Sequence, residues 1–357
     1  MSRALQLAER GLFTTDPNPR VGCVIVKESQ IVGEGWHQRA GEAHAEVNAL
    51  KNAGFKAKDA DCYVTLEPCS HFGRTSPCAD TLINAGLKRV FIAMMDPNPR
   101  VAGAGIAKLE AAGIEVIVGI LGSQAEQLNL GFCQRMRIGR PYVRSKMAMS
   151  VDGRTAMASG ESKWITGTAA RQDVQKLRAR SSAILTGIGT VLADDPALTV
   201  RPEGWYPQQT IRQPLRVVVD SQLRTPADAK IFADNAKVLI ASSIPAKTIL
   251  QAEVCNLPSD NNRVDLTALM TELAKREINE VMVEAGSLLN GALLAAGLID
   301  ELVIYMAPKI MGNDANGLFH LPDFTTMAQN IGLQISDIRA VGHDWRITAL
   351  PQYNKDN

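Results

Sequence analysis

Apolar residues along the chain fall into short continuous runs separated by stretches of helical periodicity, and the first block of this pattern covers residues 1–136. Such runs predict strands, and the stretches between them predict amphipathic helices. The predicted strands are 21–26, 31–36, 62–66, 89–94 and 114–118, and the predicted helices are 1–13, 43–53, 78–85, 105–112 and 123–136. Strands that are apolar throughout are typical of a sheet covered by helices on both faces, so we expect an α/β fold.

The alternation restarts after Gly139-Arg140-Pro141, which marks a domain boundary. The predicted strands of this second block are 142–148, 183–187, 215–219, 237–241, 280–284, 301–307 and 343–349, and the predicted helices are 168–179, 265–276 and 287–296. Residues 194–214 are rich in Pro, Gln and Gly and predict a long loop. We therefore expect two α/β domains, 1–140 and 141–357, as the length of 357 residues also favours.

Composition and charge narrow the classes of function. Hydrophobic residues make up 46% and charged residues 21% of the chain, as in ordinary globular proteins. A net charge of +1 gives no electrostatic basis for nucleic acid as the main partner. The six cysteines are too sparse for a disulfide framework, and neither a signal peptide nor a membrane span is evident. We expect a cytoplasmic protein with no membrane partner.

The candidate chemistry centres on two pieces of sequence, His44-Ala45-Glu46 and the segment 67–78 that begins Glu-Pro-Cys. His44, Cys69 and Cys78 offer three ligands for one catalytic Zn²⁺, with the fourth position left for water. Glu46 is not needed as a ligand and suits a proton shuttle. Zinc deaminases carry an H-x-E…P-C-x-x-C pattern, but here eight residues, not two, separate Cys69 from Cys78.

Two alternatives to a catalytic metal site remain open. His71 could close a structural zinc site as a fourth ligand, or the pattern could be a coincidence without metal.

Asn18, held between two prolines, is a rigid amide able to read a ring edge or a ribose hydroxyl, although the same residues are typical of a plain turn. His37, at the end of a predicted strand, is a further candidate for substrate binding or a structural histidine.

The second half offers two candidate phosphate-binding turns. Gly187-Ile188-Gly189-Thr190 resembles half of a dinucleotide fingerprint, but Leu192 stands where the third glycine should be, so the Rossmann interpretation fails. The segment 284–287 places a glycine between a strand end and a helix start, where free N–H groups suit a pyrophosphate. An ordinary strand–helix turn would have the same local sequence.

Several stretches resemble one known family. PNPRVGCVIV, GEGWHQRAGEAHAEV and YVTLEPCSHFGRTSPC are similar to the cytidine-deaminase-like half of the bifunctional riboflavin-biosynthesis deaminase/reductases, whose long cysteine spacing they share. KMAMSVDGRTA, SKWITG, LADDPALTVR and EAGSLLNGALL resemble the reductase half of the same family. The implied fold is an N-terminal cytidine-deaminase-like α/β/α domain and a C-terminal dihydrofolate-reductase-like α/β domain.

The resemblance implies deamination of 2,5-diamino-6-ribosylamino-4(3H)-pyrimidinone 5′-phosphate, then NADPH-dependent reduction of its ribosyl chain. It implies a homo-oligomer, with a dimer favoured. The implied cofactor contacts are Ala148, Trp164, Thr190, Asp194, Ser221, Gly286, Ser287, Leu288, Leu289, Asn290, Gly291 and Ala292. The implied substrate contacts are Ser162, Arg178, Leu198, Arg201 and Glu284.

Among these residues, Arg178 and Arg201 suit bidentate capture of the 5′-phosphate. Arg74 replaces a lysine of some family members, and either cation could approach a phosphate. Two other functions are weighed against this one: a nucleic-acid or nucleoside deaminase with an accessory reductase-like domain, and a non-catalytic scaffold stabilised by zinc.

Overall fold

The computed structural model describes residues 1–70, 77–99, 101–202, 211–245 and 251–353, with the backbone alone for Asn235, Ser259 and Asp260. The chain forms two compact units, Met1–Arg140 and Pro141–Asn357, which are described separately. Within the described residues no helix has the length and apolar character needed to cross a membrane.

The first unit is built on a five-stranded sheet in the order β2-β1-β3-β4-β5. Its strands are β1 (Gly22–Lys27), β2 (Gln30–Trp36), β3 (Asp61–Val64), β4 (Arg89–Ile92) and β5 (Glu115–Val118), and its helices are α1 (Ser2–Glu9), α2 (Ala45–Ala53), α3 (Cys78–Asn84), α4 (Ala104–Ala111), α5 (Gly122–Leu128) and α6 (Leu130–Ile138). β1 is antiparallel to both neighbours, whereas β3, β4 and β5 are parallel. A two-residue turn with positive φ at Glu28 and Ser29 joins β1 to β2, as a tight hairpin requires.

Apolar side chains of β1 bury both faces of this sheet. Val24 packs with Leu7 of α1 on one face, whereas Ile25 lies in a separate cluster with Ala45 and Ala49 of α2. The expectation of apolar strands covered on both sides is therefore confirmed for this unit.

α2 lies unusually close to β2, because β2 carries glycine where side chains would face the helix. A Cβ atom at Gly33 would lie 2.3 Å from the backbone oxygen of Ala49, and one at Gly35 would lie 2.3 Å from the backbone nitrogen of Ala49. Real Cβ atoms do not approach backbone so closely, so only glycine permits this helix position. The contact places the first turn of α2, with His44 at its N-cap, beside the end of β2.

The second unit is built on a nine-stranded sheet in the order β11-β10-β9-β8-β14-β6-β15-β18-β17. The strands of the whole unit, four of which (β7, β12, β13 and β16) lie outside this sheet, are β6 (Tyr142–Ser150), β7 (Arg154–Ala156), β8 (Ala183–Gly187), β9 (Leu215–Val219), β10 (Val238–Ser242), β11 (Glu253–Asn256), β12 (Ser259–Asp260), β13 (Arg263–Val264), β14 (Glu280–Val283), β15 (Glu301–Ala307), β16 (Asn316–Gly317), β17 (Gly332–Val341) and β18 (Asp344–Gln352). Its helices are α7 (Thr168–Arg180), α8 (Ile188–Asp194), α9 (Leu266–Lys275) and α10 (Ser287–Ala295). The strands from β11 to β15 run parallel in that order, and β18 pairs antiparallel with β15.

Helices cover both faces of the central strands in this unit as well. Met282 of β14 packs with α7, whereas the flanking Val281 and Val283 belong to a larger cluster with Leu269 of α9 and Leu293 of α10. Alternate residues of one strand thus enter two different cores, which explains why β14 is apolar throughout.

The structure differs from the predicted elements at several points. The helix predicted over 123–136 is two helices, α5 and α6, interrupted at Asn129, whose side chain hydrogen-bonds the backbone N and O of Arg20 at 2.8 and 3.0 Å. α8 and the strands β7, β11, β12, β13, β16 and β17 were not predicted. The apolar and polar residues of β17 do not alternate regularly, because a register shift between Ile335 and Asp337 interrupts its pairing with β18.

Gly35→Ala is expected to destabilise the first unit, because the added methyl group collides with the backbone of α2. We expect a loss of about 2–3 kcal/mol in the free energy of unfolding, measured by denaturant titration. The matched control is Glu34→Ala, which removes an exposed ion pair with Arg3 and should cost less than about 1 kcal/mol. Equal stability of the two variants would contradict this account of helix placement.

Candidate active sites

The predicted metal ligands come together from three parts of the first unit. His44 is the N-cap of α2, Cys78 is the first residue of α3, and Cys69 follows β3 in the intervening loop. His44 Nδ1 lies 3.2 Å from Cys78 Sγ and 3.7 Å from Cys69 Sγ. Tetrahedral zinc with one nitrogen and two sulfur ligands would separate the donor atoms by roughly 3.5–3.8 Å. The three side chains therefore fit a zinc ion, and among the described residues they are the His and Cys ligands of this cluster.

Among these three groups, Cys69 has the electrostatic character of a metal ligand. A hydrogen bond from Cys78 lowers the pKa of the Cys69 thiol to about 4, and a further bond to His44 acts in the same direction. The same bond to Cys69, together with burial, raises the pKa of Cys78. The Cys69 sulfur also accepts the backbone N–H of Cys78 at 3.3 Å. A thiolate is thus already favoured at Cys69, and thiolate is the form of cysteine that binds zinc.

Glu46 lies in the first turn of α2 and is buried. Burial raises the pKa of its carboxyl group, although the neighbouring His44 opposes that change. A raised pKa makes the carboxyl better able to hold a proton near neutral pH. Glu46 therefore combines proximity to the ligand cluster with the acid–base property that a proton shuttle needs.

Asn18 and His37, both predicted from their sequence context, lie together beside the metal ligands. Asn18 Nδ2 is 3.0 Å from His37 Nε2, and His37 Nδ1 is 3.2 Å from the carbonyl oxygen of Ala43. Only a donor at Nδ1 can bond that carbonyl, so His37 Nε2 accepts from the Asn18 amide in the neutral ring. Burial lowers the pKa of His37, which favours the neutral form, and its ring centroid is 5.4 Å from that of His44.

Glu67 is a residue of this site that sequence reasoning missed. Its buried carboxylate accepts hydrogen bonds from the backbone N–H groups of Asp96, Gly103, Gly105 and Ile106 at 2.9–3.4 Å. It thereby joins the loop that carries Cys69 to the first turn of α4. The signal in the sequence was an acidic residue directly after a predicted apolar strand, where a buried carboxylate needs several donors.

A second missed feature is an exact repeat, since DPNPRV occurs at 16–21 and again at 96–101. The first copy precedes β1 and the second follows β4. β1 runs antiparallel to β3, and β4 runs parallel to β3, so both copies lie at the sheet edge where β3 ends. The two copies therefore bracket the segment that leads from β3 to Cys69. His71 and Arg74, considered above as a zinc ligand and a phosphate contact, lie outside the described residues.

In the second unit, candidate residues gather at one edge of the sheet. Parallel α/β sheets bind ligands beyond the carboxyl ends of their strands. Ala148 lies near the end of β6, Thr190 follows β8 in α8, Ser221 follows β9, and Glu284 and Gly286 follow β14. These strands are neighbours in the sheet order, so the topology brings the predicted residues to a common edge. Ser221 Oγ accepts the backbone N–H of Val264 at 3.1 Å.

Three charged side chains form a compact cluster at this edge. Arg178 of α7 donates two hydrogen bonds to the Glu284 carboxylate, from Nε at 2.5 Å and from Nη2 at 3.1 Å. Lys146 Nζ lies 3.5 Å from the same carboxylate. Burial opposes ionisation of Glu284, but the two cations prevail and lower its pKa to about 2. The remaining Arg178 nitrogen, Nη1, donates to the carbonyl oxygen of Thr199 at 3.0 Å. Bidentate capture of a phosphate by Arg178 would therefore require Glu284 to release it.

The predicted cofactor segment 286–292 divides into exposed and buried residues. Gly286 and Leu288 are exposed at the start of α10. Asn290 is buried and bonds Ser145 Oγ at 2.7 Å, and a Cβ at Gly291 would lie 2.0 Å from the backbone oxygen of His320. Asn290 and Gly291 therefore serve the packing of the helix, whereas Gly286, Leu288 and Ala292 are exposed.

The remaining predicted contacts differ in exposure. The Trp164 side chain is exposed, with the Arg171 guanidinium 4.6 Å from its ring centroid. Lys163 Nζ lies 3.7 Å from the carboxylate of Asp194. Leu198 is buried in an apolar cluster and has a φ of +51°.

Comparison with known proteins agrees with this two-site arrangement. Residues 1–94 match the cytidine and deoxycytidylate deaminase zinc-binding region, and residues 141–347 match the RibD C-terminal domain. The chain is 55% identical to riboflavin biosynthesis protein RibD of Escherichia coli, over 96% of each chain, and 51% identical to that of Haemophilus influenzae, over 99% of this chain and 96% of the relative. The chain belongs to the RibD family.

Solved structures of the RibD family support the same conclusion. RibD of Acinetobacter baumannii superposes with a TM-score of 0.94 at 47% identity, covering 99% of this chain and 98% of that one. A Thermotoga maritima diaminohydroxyphosphoribosylaminopyrimidine deaminase/5-amino-6-(5-phosphoribosylamino)uracil reductase superposes with a TM-score of 0.88 at 33% identity, covering 99% and 97%. The protein is thus a bifunctional deaminase and reductase of riboflavin biosynthesis, and its deaminase region is of a zinc-binding type. Membership of this enzyme family excludes the alternative of a non-catalytic scaffold stabilised by zinc.

The ion cluster around Glu284 predicts a stability that depends on pH. The pKa of Glu284 is lower in the folded protein than in the unfolded chain, so its stabilisation is complete above about pH 4.5 and is lost as pH falls toward 2. Glu284→Gln should cost about 3 kcal/mol in unfolding free energy at pH 7, because it leaves Arg178 buried without its carboxylate.

The difference in unfolding free energy between the wild type and Glu284→Gln is measured by denaturant titration at several pH values, with a signal that reports unfolding of the second unit. The gap between the wild type and Glu284→Gln should narrow steadily below about pH 4.5. A gap that is constant from pH 7 to pH 3 would show that the charge of Glu284 does not contribute.

Proposed function

We propose that the first unit deaminates 2,5-diamino-6-ribosylamino-4(3H)-pyrimidinone 5′-phosphate and that the second unit reduces the ribosyl chain of the product with NADPH. The observation that carries this proposal is the cluster of His44, Cys69 and Cys78 with the buried Glu46 beside it. The full-length similarity to the Thermotoga maritima enzyme, whose substrates are of this class, supports the same choice.

In the deaminase unit, His44, Cys69 and Cys78 would hold one Zn²⁺ as an imidazole and two thiolates. Zinc in such a site lowers the pKa of water and so supplies a nucleophile near neutral pH. Glu46 would accept a proton at its carboxylate oxygen and deliver it to the exocyclic amine, which would leave as ammonia. Asn18 donates to the neutral His37, and this pair would orient the pyrimidine or its ribose beside the metal.

In the reductase unit, NADPH would lie along the carboxyl edge of the sheet. The exposed first turn of α10, from Gly286 to Leu288, offers backbone N–H groups to its pyrophosphate. The further proposed contacts are Ala148, Trp164, Thr190, Asp194 and Ser221, which extend along the same edge. The cofactor supplies the hydride, and these residues would position it against the substrate.

The ribosyl phosphate would lie between α7 and the segment that follows α8. Arg201 is exposed and suits the phosphate, whereas Arg178 and Glu284 are bonded to each other and would meet the sugar. Ser162 and the backbone at Leu198 complete the proposed set. Lys146, held against Glu284, is a further candidate for orienting the sugar.

The protein would act as a homodimer formed through β17. This strand ends the nine-stranded sheet, and its apolar Leu333, Ile335 and Ile338 are 47–55% exposed. A long apolar edge strand left open to solvent invites pairing with another chain. A second copy of β17 would cover it with the same residues, as a two-fold axis requires.

The proposed function is tested by a coupled assay on the diaminopyrimidine ribosyl phosphate. We expect ammonia release first and NADPH oxidation only afterwards, because the reductase acts on the deaminated product. A chelator should stop ammonia release, whereas NADPH oxidation with supplied deaminated product should continue. Continued ammonia release from protein shown by metal analysis to be zinc-free would contradict the metal assignment.

Two variants separate metal binding from proton transfer in the first unit. Glu46→Gln should retain zinc but lose ammonia release by about 10²–10⁴-fold, because the shuttle is gone. Cys69→Ser should lose both zinc and ammonia release. Both variants should reduce supplied deaminated product at the wild-type rate, which is the internal control for folding. Wild-type ammonia release by Glu46→Gln would remove Glu46 from the chemistry.

Dimer formation is tested with Ile335→Lys and Ile338→Lys, which place charges on the exposed edge strand. Analytical ultracentrifugation should show a dimer for the wild type and a shift of at least about tenfold in its dissociation constant for the variants. Lys substitution at Val118, an exposed apolar residue of the first unit, is the control and should leave the dimer intact. A monomeric wild type would overturn this part of the proposal.

A further inference from the structure

Arg216, on β9 of the reductase unit, is a buried cation that no part of the proposed reaction uses. Its side chain is among the largest that are fully buried, with 1% of the residue exposed. A buried charge costs several kcal/mol in solvation unless an opposite charge or a set of hydrogen bonds offsets it. An unusual partner set is therefore expected around this guanidinium.

The partners of Arg216 are all neutral. Nη1 donates to the carbonyl oxygens of Ile231 and Ala233 at 2.6 and 3.0 Å, and Nη2 donates to Thr199 Oγ1 at 3.1 Å. No carboxylate of the described residues forms an ion pair with Arg216, and the acidic residue that acts on it from farther away is the exposed Asp234. By contrast, the equally buried Arg144 is paired with both Glu280 and Glu301.

Thr199 is the residue through which Arg216 meets the proposed substrate site. Its hydroxyl accepts from Arg216, and its carbonyl oxygen accepts from Arg178 Nη1 at 3.0 Å. The charges of Arg178 and Arg216 are near enough for the former to lower the pKa of the latter, after the larger effect of burial. Two guanidinium groups thus converge on one residue of an irregular segment.

The residues after Thr199 are held in the same manner, by side chains and not by a sheet or helix. The Gln213 amide accepts from Val200 N at 2.8 Å and donates to Val200 O at 3.0 Å. Gln175 Oε1 accepts from Arg201 N at 2.9 Å. The segment 199–201 is therefore fixed at each residue, and it ends in the exposed Arg201 that we assign to the phosphate.

We propose that Arg216 is a positioning residue for a phosphomonoester: it fixes Thr199, and hence the segment that presents Arg201, and its guanidinium, which is hydrogen-bonded to neutral groups, favours a dianion bound there. This inference rests on the proposed function of the reductase unit. Arg216 itself does not touch the phosphate, because its Nη atoms are occupied by backbone and hydroxyl oxygens. A guanidinium that forms no ion pair with a carboxylate of the described residues keeps a charge that a bound anion can use.

The test compares two substrates in the full chain: the deaminated ribosylaminopyrimidine with its 5′-phosphate and the same compound without it. Arg216→Met keeps an unbranched, flexible side chain that can replace the apolar stem of arginine, and it removes the charge. We expect kcat/KM for the phosphorylated compound to fall about tenfold, mainly through KM, and that for the other compound to change less than about twofold. Arg216→Lys should recover part of the loss, since it restores the charge without the fork.

Thr199→Val provides a second variant with a smaller risk of misfolding, because it removes only the hydroxyl that accepts from Arg216. It should lower the ratio of kcat/KM for the two substrates by about threefold to fivefold, and added to Arg216→Met it should have little further effect. The control is Arg346→Met, which removes a buried arginine paired with Asp173 elsewhere in this unit. That variant should leave the ratio unchanged.

Equal losses on both substrates in Arg216→Met or Thr199→Val would overturn the proposal, since they would indicate a purely structural role. An unchanged ratio in both variants would overturn it as well. If the wild type reduces neither compound with NADPH, the proposed function fails, and that outcome is separate from any result with the variants. A wild type that reduces both compounds equally well leaves the function standing and refutes the phosphate role of Arg216.

Discussion

The carboxylate of Glu67 accepts hydrogen bonds from four backbone amides, and the geometry of the deaminase site depends on that interaction. The three proposed metal ligands lie on separate pieces of chain, and Cys69 lies in a loop with no helix or strand to hold it. Glu67 ties this loop to α4, and Gly105 lets the backbone of α4 approach Pro68 without a side chain between them. The other two ligands need no such device, because each begins a helix.

In the reductase unit, buried cations take the role that the Glu67 carboxylate has in the deaminase unit, since they hold an irregular segment in place. There, Arg178 and Arg216 donate to Thr199, and neutral amides hold the next two residues. In both units an irregular segment is fixed by hydrogen bonds to side chains from other parts of the unit. Such segments can carry reactive or binding groups because their shape is set by polar contacts whose loss is costly in a buried setting.

The two sites differ in how much of them the sequence predicts. The ligands of the deaminase site follow one another within 35 residues, at helix starts and beside a strand, so local spacing was enough to bring them together. The strands of both cores were equally legible, because apolar runs such as 280–284 report burial directly. The role of Glu67 could not be predicted in this way, because the four amides that it binds lie 29–39 residues away in the sequence. Likewise, Asn129 is typical of a helix in sequence, and only its contact with Arg20 divides α5 from α6.

The reductase site shows a limit of composition as well as of pattern. A net charge of +1 gives no electrostatic basis for a nucleic-acid partner, but it does not show how charge is distributed in the fold. Arg178, Arg201, Arg216 and Lys146 come from a helix, a loop and two strands that are far apart in the sequence. Glu284 pairs with Arg178 and Lys146, and Thr199 accepts from both Arg178 and Arg216. This grouping of cations is a product of the fold, so a near-neutral protein can still offer several cationic groups to a small phosphate.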